Sequence, residues 1–280
     1  MDLIKPALAG TFAGFAEVLG LIFSFGLLLF LLSRLTRHVY NRLGFSWLDI
    51  YVTGWIGTPV HEAGHALFCL LFRHRIDGIK LFSPGSAQGS LGYVNHSYSR
   101  KSIYQNIGCF FISTGPLFMG VSLIYLLMFL FLPNYHSVIS AVSDSRLAAV
   151  NLFNIKDHMP FMISSGFNMI AAVFNRGNFS AWEFYLFIYL SACISSHMAL
   201  SPQDLKGMWK GMLIIIIILF LINLTAVLLR YDLSPVFAQA AGYSGYMTGI
   251  FIFAAVISML NFLLSLLLLG GFFLVKNKRI

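Results

Sequence analysis

The chain is organised around Gly57-Thr58-Pro59-Val60-His61-Glu62-Ala63-Gly64-His65-Ala66-Leu67-Phe68, an apolar run that contains the pattern His-Glu-x-x-His. On a helix, residues four positions apart project from one face, so the imidazoles of His61 and His65 can share one metal ion. Glu62 is placed to take a proton from the attacking water without ligating the metal. This spacing predicts that His61 and His65 bind Zn²⁺ and that Glu62 is the catalytic base.

The composition places this stretch in a membrane protein. The 280 residues are 58% hydrophobic and 10% charged, whereas soluble domains have about 25% charged residues. Histidine and glutamate within a membrane span are costly and usually functional, which favours a metal site over a polar patch satisfied by its neighbours. Basic residues at span ends explain the net charge of +8, so we expect a lipid bilayer as partner and no nucleic acid.

Hydropathy predicts an all-α polytopic membrane protein, with a single transmembrane domain over residues 1–280 and about six spanning helices. The predicted spans are residues 11–32, 50–72, 107–132, 181–198, 212–229 and 247–275. In this interpretation Arg34, Arg37, His38 and Arg42 end the first span. The small residues and proline at Gly115-Pro116 predict close helix packing within the third span.

The segments between the spans are predicted to be of two kinds. Residues 76–98 alternate loosely on either side of turn residues and predict a small β-hairpin at the membrane surface, with a plain polar loop as the alternative. The apolar stretches 147–153 and 161–174 are short and interrupted, which is typical of interfacial or re-entrant helices. The three cysteines lie in or beside apolar runs without metal-ligand spacing, so we expect free, buried thiols.

A catalytic zinc site keeps three protein ligands, so a third ligand is needed. Only Glu183 and Asp204 follow the motif and flank a span without lying in an obvious loop. If the second and fourth spans run parallel, the end of the fourth span reaches the depth of the motif, which favours Asp204. Pro202 is expected to unwind that span's end and turn the Asp204 carboxylate inward.

The motif His61-Glu62-Ala63-Gly64-His65 resembles the HExGH motif of the site-2 protease family of intramembrane zinc metalloproteases. Three later segments are also similar to features of that family. They are the segment directly after the motif, Gly115-Pro116-Leu117 and, more loosely, Ser201-Pro202-Gln203-Asp204-Leu205-Lys206-Gly207. The resemblance covers about residues 50–207. It implies that His61, His65 and Asp204 ligate zinc, that Glu62 activates water, and that the substrate is a transmembrane segment of another protein.

Two departures from the family pattern concern the region of Asp204. Family members commonly have glycine directly after the aspartate, whereas Leu205 and Lys206 intervene here before Gly207. Ser196 and His197 occupy the neighbourhood of the family's asparagine. His197 would share a helix face with Asp204 if the helix persists, so we expect it to donate a hydrogen bond to the oxyanion or substrate. A satisfied intramembrane histidine and an alternative ligand are the other interpretations.

Two other functions fit the same residues. One is a different membrane zinc peptidase, such as a prenyl-protein peptidase, with a glutamate as third ligand. The other is a non-enzyme, either a metal-binding transporter or a proteolytically silent scaffold.

The distribution of basic residues predicts the orientation. Eleven of the 18 Lys and Arg residues fall on the side of both termini if six spans are correct. Both termini are therefore expected in the cytoplasm, in a bacterial plasma membrane.

Overall fold

The computed structural model describes residues 3–85, 90–143, 164 and 166–277, and most of them are helical. The main helices are α1 (Ile4–Val18), α2 (Gly20–Leu43), α3 (Trp55–Leu71), α4 (Ile103–Phe131), α5 (Tyr135–Ser143), α6 (Trp182–His197), α7 (Pro202–Leu228) and α8 (Ser234–Asn277). The short helical segments are Ser46–Leu48, the π-helical turn Asp49–Gly54, residues 166–173 and Arg176–Phe179. Two strands, β1 (Arg75–Lys80) and β2 (Tyr93–Ser97), form a hairpin. The helical fold class with a small hairpin is confirmed.

Four stretches of helix are long and apolar enough to cross a bilayer. They are Ile22–Leu43, Ile103–Phe131, Pro202–Leu228 and Met247–Leu269. About six spans are therefore not confirmed among the described residues. The predicted fourth span corresponds to α6, of 16 residues, which at 1.5 Å per residue is roughly 24 Å long, shorter than the ~30 Å hydrocarbon layer. The predicted second span corresponds to α3 together with the helical residues 46–54, which run into it without a break.

The helices differ from the bounds predicted for the first span, residues 11–32. The helix is interrupted at Leu19 and resumes as α2, which ends at Leu43. Arg34, Arg37 and Arg42 therefore lie within α2. Hydropathy places the end of a span at the first charged residue. Arginine, however, is a good helix former, and its long stem can cover apolar surface, so α2 continues until Gly44 ends it in a left-handed conformation (φ 70°).

The hydrophobic core lies where α2, α4, α6 and α8 meet. Its largest fully buried side chains include Phe110, Phe187, Phe251 and Phe253. Phe25 on α2 stacks on Phe251 of α8, with ring centroids 5.3 Å apart. The three cysteines are buried and free, as predicted.

Two glycines allow α3 and α4 to cross in direct backbone contact. A Cβ at Gly64 would lie 2.7 Å from the carbonyl oxygen of Gly115, and a Cβ at Gly115 would lie 2.7 Å from that of Gly64. The predicted close packing at Gly115-Pro116 is therefore confirmed. This crossing also brings the carbonyl group of Ile112 to the motif on α3.

The contacts between α3 and α6 show that these helices run parallel, as expected. Upstream of α3, the carbonyl of Val52 accepts a hydrogen bond from the Tyr189 hydroxyl, at 2.8 Å. At Gly57, a Cβ would lie 2.7 Å from the side chain of His197. His197 also contacts His61 through its carbonyl oxygen. Residues later in the segment that contains α3 contact residues later in α6, so the two run in the same direction. The end of α6 therefore lies beside the motif.

The hairpin is antiparallel and has a register shift between Ile76 and Gly78. Its strands are shorter than the alternating pattern of residues 76–98. Residues 86–89 of the predicted turn and the stretch 147–153 lie outside the described residues. Of residues 161–174, only 164 and those from 166 on are described, and 166–173 are helical.

A pair of histidines attaches the hairpin to the helices. His74, just after α3, is 4% exposed, and its Nε2–H donates to the carbonyl of Gln105 on α4, at 2.8 Å. Its Nδ1 lies 3.0 Å from Nδ1 of His96 on β2. Because a neutral ring has one N–H, His74 accepts this second bond and His96 donates it.

Candidate metal centre

His61 and His65 lie one turn apart on α3 and present their rings to one another. The ring centroids are 4.8 Å apart, and the two Nε2 atoms are 3.1 Å apart. Each Nδ1 lies 2.7 Å from a backbone carbonyl oxygen, that of His197 for His61 and that of Ile112 for His65. A carbonyl oxygen only accepts, so each Nδ1 bears the proton and each Nε2 presents its lone pair inward.

Asp204 reaches the two histidines from the first turn of α7. Its Oδ1 lies 3.3 Å from Nε2 of His65, and its Oδ2 lies 3.8 Å from Nε2 of His61. A capping box holds this side chain in place. The backbone N–H of Ser201 donates to Oδ2 at 2.7 Å, and the N–H of Asp204 donates to Oγ of Ser201 at 3.2 Å.

The location of Asp204 corrects two details of the sequence interpretation. Helix α6 ends at His197, and Pro202 is the first residue of α7. Pro202 therefore starts the next helix, where its missing N–H costs nothing, and the expected unwinding of a helix end is wrong. His197 and Asp204 lie on different helices, so they do not share a helix face. The carboxylate still reaches the motif because α7 begins beside the end of α6.

The donor set fits a metal ion. One possible ligand atom from each of His61, His65 and Asp204 lies within 4.8 Å of the others. All three groups are hydrogen-bond acceptors at these atoms, so only a cation or a shared proton can join them. Tetrahedral zinc with bonds of about 2.0–2.2 Å separates its ligands by roughly 3.3–3.6 Å; here the two Nε2 atoms are 3.1 Å apart and lie 3.3 and 3.8 Å from the two different oxygens of Asp204. Imidazole nitrogen and carboxylate oxygen are both zinc ligands.

Glu62 lies beside this cluster and takes no part in its hydrogen bonds. The residue is 7% exposed, and a Cβ at Gly92 would lie 2.7 Å from its Cγ. Glu62 has no hydrogen bond or ion pair to any other described residue. Its carboxylate is therefore available to accept a proton from water.

His197 is held against the π-helical turn before α3 by polar contacts at its Nε2 atom. Nε2 lies 3.0 Å from Oγ1 of Thr53 and 3.6 Å from Oδ1 of Asp49. The Thr53 hydroxyl donates to the carbonyl of Asp49, so it accepts from His197, and Nε2 bears the proton. In the neutral ring Nδ1 is then an acceptor. The role of oxyanion donor remains a prediction, and it requires a charged ring.

A cavity of about 570 Å³ opens beside the cluster. Its lining includes His61 and Glu62 of α3, residues 90–92 at the hairpin, and residues 199–202 before α7. The C-terminal half of α2 forms another wall. The volume falls in the range of sites that hold small ligands or a short peptide.

Sequence reasoning missed several residues around the site. Asp49 and Thr53 contact His197, and the carbonyl groups of Ile112 and His197 orient the motif histidines. Contacts of backbone carbonyl groups between helices that are far apart in the sequence do not depend on residue type, so no sequence pattern indicates them. Arg34, Arg37 and His38 line the cavity, and their spacing of three and four residues was a signal that they share one helix face.

Of the two carboxylates considered as third ligand, Glu183 and Asp204, only Asp204 lies beside the motif histidines. Glu183 lies in the first turn of α6, at the end of that helix opposite His197, whereas Asp204 contacts both motif histidines.

No protein-family model, curated protein or solved structure matches the chain.

Proposed function

We propose that the chain is a zinc-dependent intramembrane endopeptidase that hydrolyses a peptide bond in or near a transmembrane segment of another membrane protein. The main support is the convergence of His61, His65 and Asp204 within 4.8 Å, beside the unpaired carboxylate of Glu62. The resemblance of the motif to the site-2 protease family supports the same function. We place the protein in a bacterial plasma membrane, with both termini in the cytoplasm.

The reaction would use the groups around the cavity in turn. A bound zinc ion would supply a Lewis acid that lowers the pKa of water. Glu62 would take a proton from this water as its oxygen attacks the peptide carbonyl carbon. As the C–N bond breaks, Glu62 would return the proton to the leaving nitrogen. His197 is the candidate donor to the carbonyl oxygen of the substrate.

The substrate must be unwound before attack, because the carbonyl groups of a helix are already hydrogen-bonded. A two-stranded sheet leaves one edge of each strand unpaired. Residues 91–94 near the start of β2 are our candidate edge for holding an extended segment by strand addition. Leu91 and Gly92 also line the cavity that contains Glu62.

The test compares purified wild-type protein with Glu62→Gln on candidate single-span substrates. We expect Glu62→Gln to keep zinc near one ion per chain and to cleave at least ~100-fold more slowly, because the base is lost while the ligands remain. Glu183→Gln is the matched control, since the same substitution far from the cluster should change neither property. His61→Ala should lose both zinc and cleavage.

Two results would separate this proposal from its rivals. Unchanged cleavage by Glu62→Gln would reject the assigned base. A wild-type protein that binds zinc but cleaves no substrate, with Glu62→Gln behaving identically, would favour a metal-binding scaffold or transporter.

A further inference from the structure

The cavity has a basic wall formed by α2. Arg34, Arg37 and His38 are spaced by three and four residues, and all three line the cavity that contains His61 and Glu62. They lie inside Ile22–Leu43, a stretch apolar enough to span a membrane. Charged residues in such helices usually face a polar cavity and mark the path of a substrate or ion.

Among the described residues, the positive charge of this wall is largely unbalanced. Arg34 and His38 have no ion pair among the described residues. Arg37 has one distant partner, with its Nε 3.7 Å from Oδ2 of Asp49, and the other oxygen of Asp49 lies 3.6 Å from His197. The single carboxylate of Asp49 can balance only one positive charge of the wall, so the remaining basic groups are available to an external anion.

A second observation also indicates a missing ligand. Thr58 lies one turn before Glu62, is 6% exposed and lines the same cavity. Its buried hydroxyl has no hydrogen-bond partner among the described residues. Leaving a buried polar group unpaired is costly, and a peptide in the cavity would offer it both donors and acceptors.

We propose that the basic wall binds a carboxylate of the peptide held at the metal site. This inference rests on the proposed function. Guanidinium and carboxylate pair through two parallel hydrogen bonds, so arginine gives both charge and orientation. The carboxylate comes either from an acidic side chain or from the new C-terminus formed by cleavage.

The experiment measures binding without hydrolysis, using zinc-loaded Glu62→Gln protein in a neutral detergent. The probes are three fluorescent, otherwise identical alanine–leucine peptides. One has a single Glu and an amidated C-terminus, one has Gln at that position, and one has Gln with a free C-terminal carboxylate. We expect the Glu peptide to bind about three- to tenfold more tightly than its Gln counterpart, as expected for a partly desolvated ion pair.

Arg34→Gln and Arg37→Gln, each made in this protein, should remove the preference for Glu. Arg42→Gln is the matched control, because Arg42 lies on the same helix and does not line the cavity; it should keep the preference. If the free-carboxylate peptide shows the larger gain, the wall binds the product's C-terminus, and a larger gain for the Glu peptide assigns it to an acidic side chain.

Equal affinity for all three peptides would overturn the inference, as would loss of the preference in Arg42→Gln. A third contrary result combines two observations: the three peptides bind equally well, and Arg34→Gln binds phosphatidylglycerol vesicles more weakly than the parent protein. That result would assign the wall to lipid phosphate. The proposed function fails separately. If wild-type protein prefers the Glu peptide but cleaves nothing, the inference about the basic wall is supported and the protease assignment is rejected.

Discussion

The two motif histidines each use one ring nitrogen to bind a backbone carbonyl. This leaves two lone pairs facing one another, with Nε2 atoms 3.1 Å apart, and the carboxylate of Asp204 beside them. Without a cation, three acceptors would be buried together, an arrangement that is costly in a protein interior. At the scale of residues, the protein is therefore prepared for a positive charge.

The first prediction tests the third ligand. Asp204→Ala should lower zinc affinity by at least ~100-fold, because removal of even an outer partner of a ligand costs about 10–100-fold. The measurement is zinc content after dialysis against a weak chelator. Ser201→Ala is the matched control: it removes the Oγ that accepts from the Asp204 backbone N–H, at about 0.5–2 kcal/mol of stability, but keeps the Ser201 N–H that binds the carboxylate, so it should keep zinc. Loss of zinc in Glu183→Ala but not in Asp204→Ala would favour the prenyl-peptidase alternative.

At the scale of elements, the crossing of α3 and α4 sets the position of the motif. Gly64→Ala should force these helices apart, since the added Cβ would lie 2.7 Å from a backbone oxygen. We expect a loss of thermal stability and weaker zinc binding, because the carbonyl of Ile112 would move away from His65. Gly20→Ala is the control in another helix, where a Cβ meets nothing within 4 Å. Equal melting temperatures for the two variants would contradict this account.

The attachment of the hairpin should depend on pH. Burial lowers the pKa of His74 and of His96 below the ordinary value of 6.5. As pH falls through 6.5, an undocked hairpin takes up protons that the docked one does not, so docking is fully stable above 6.5 and weakens below it. Hydrogen exchange, corrected for intrinsic rates, should show less protection of β1 and β2 at pH 5.5 than at pH 7.5.

His96→Asn is the informative variant in that experiment. The asparagine amide can still donate to His74 but does not titrate, so the loss of protection at pH 5.5 should be smaller than in the wild type. His136→Asn, at a histidine on α5, is the control and should behave as the wild type does. An identical loss in His96→Asn would show that protonation of His96 is not the cause.

At the scale of the whole molecule, the sequence predicted the helical membrane class, the hairpin and the cluster of His61, His65 and Asp204. Helical spacing identified the motif, and the parallel arrangement of two helices identified Asp204. The basic wall was missed because hydropathy treats the first arginine as the end of a span. The break before Asp204 was also missed, because Pro202 stops one helix and starts the next equally well.

The number of membrane crossings can be decided by labelling. Four and six crossings both return the C-terminus to the side of the N-terminus, and the charge bias counted for six crossings predicts that this side is cytoplasmic. They differ at the hairpin, which shares the side of the termini if α3 crosses and faces the opposite side if it does not. A single cysteine at Ser83, tested with an impermeant maleimide, distinguishes the two counts.

Tyr231→Cys is the control for labelling, since both counts place it opposite the termini. The native thiols are buried, which keeps the background low. Labelling of Ser83→Cys from the side opposite Tyr231→Cys would support six crossings, and labelling from the same side as Tyr231→Cys would support four. Termini on opposite sides would reject both.

The division of the ligands between α3 and α7 has a consequence for biosynthesis. His61 and His65 enter the membrane early, whereas Asp204 is synthesised only after α4, the hairpin and α6. Until then the nascent chain has two imidazoles and no carboxylate to complete the site, and α6 and α4 must already be docked to hold the rings. On the proposed function, zinc would therefore bind at the last stage of assembly, and a ribosome that stalls before residue 204 would leave a chain without the complete site.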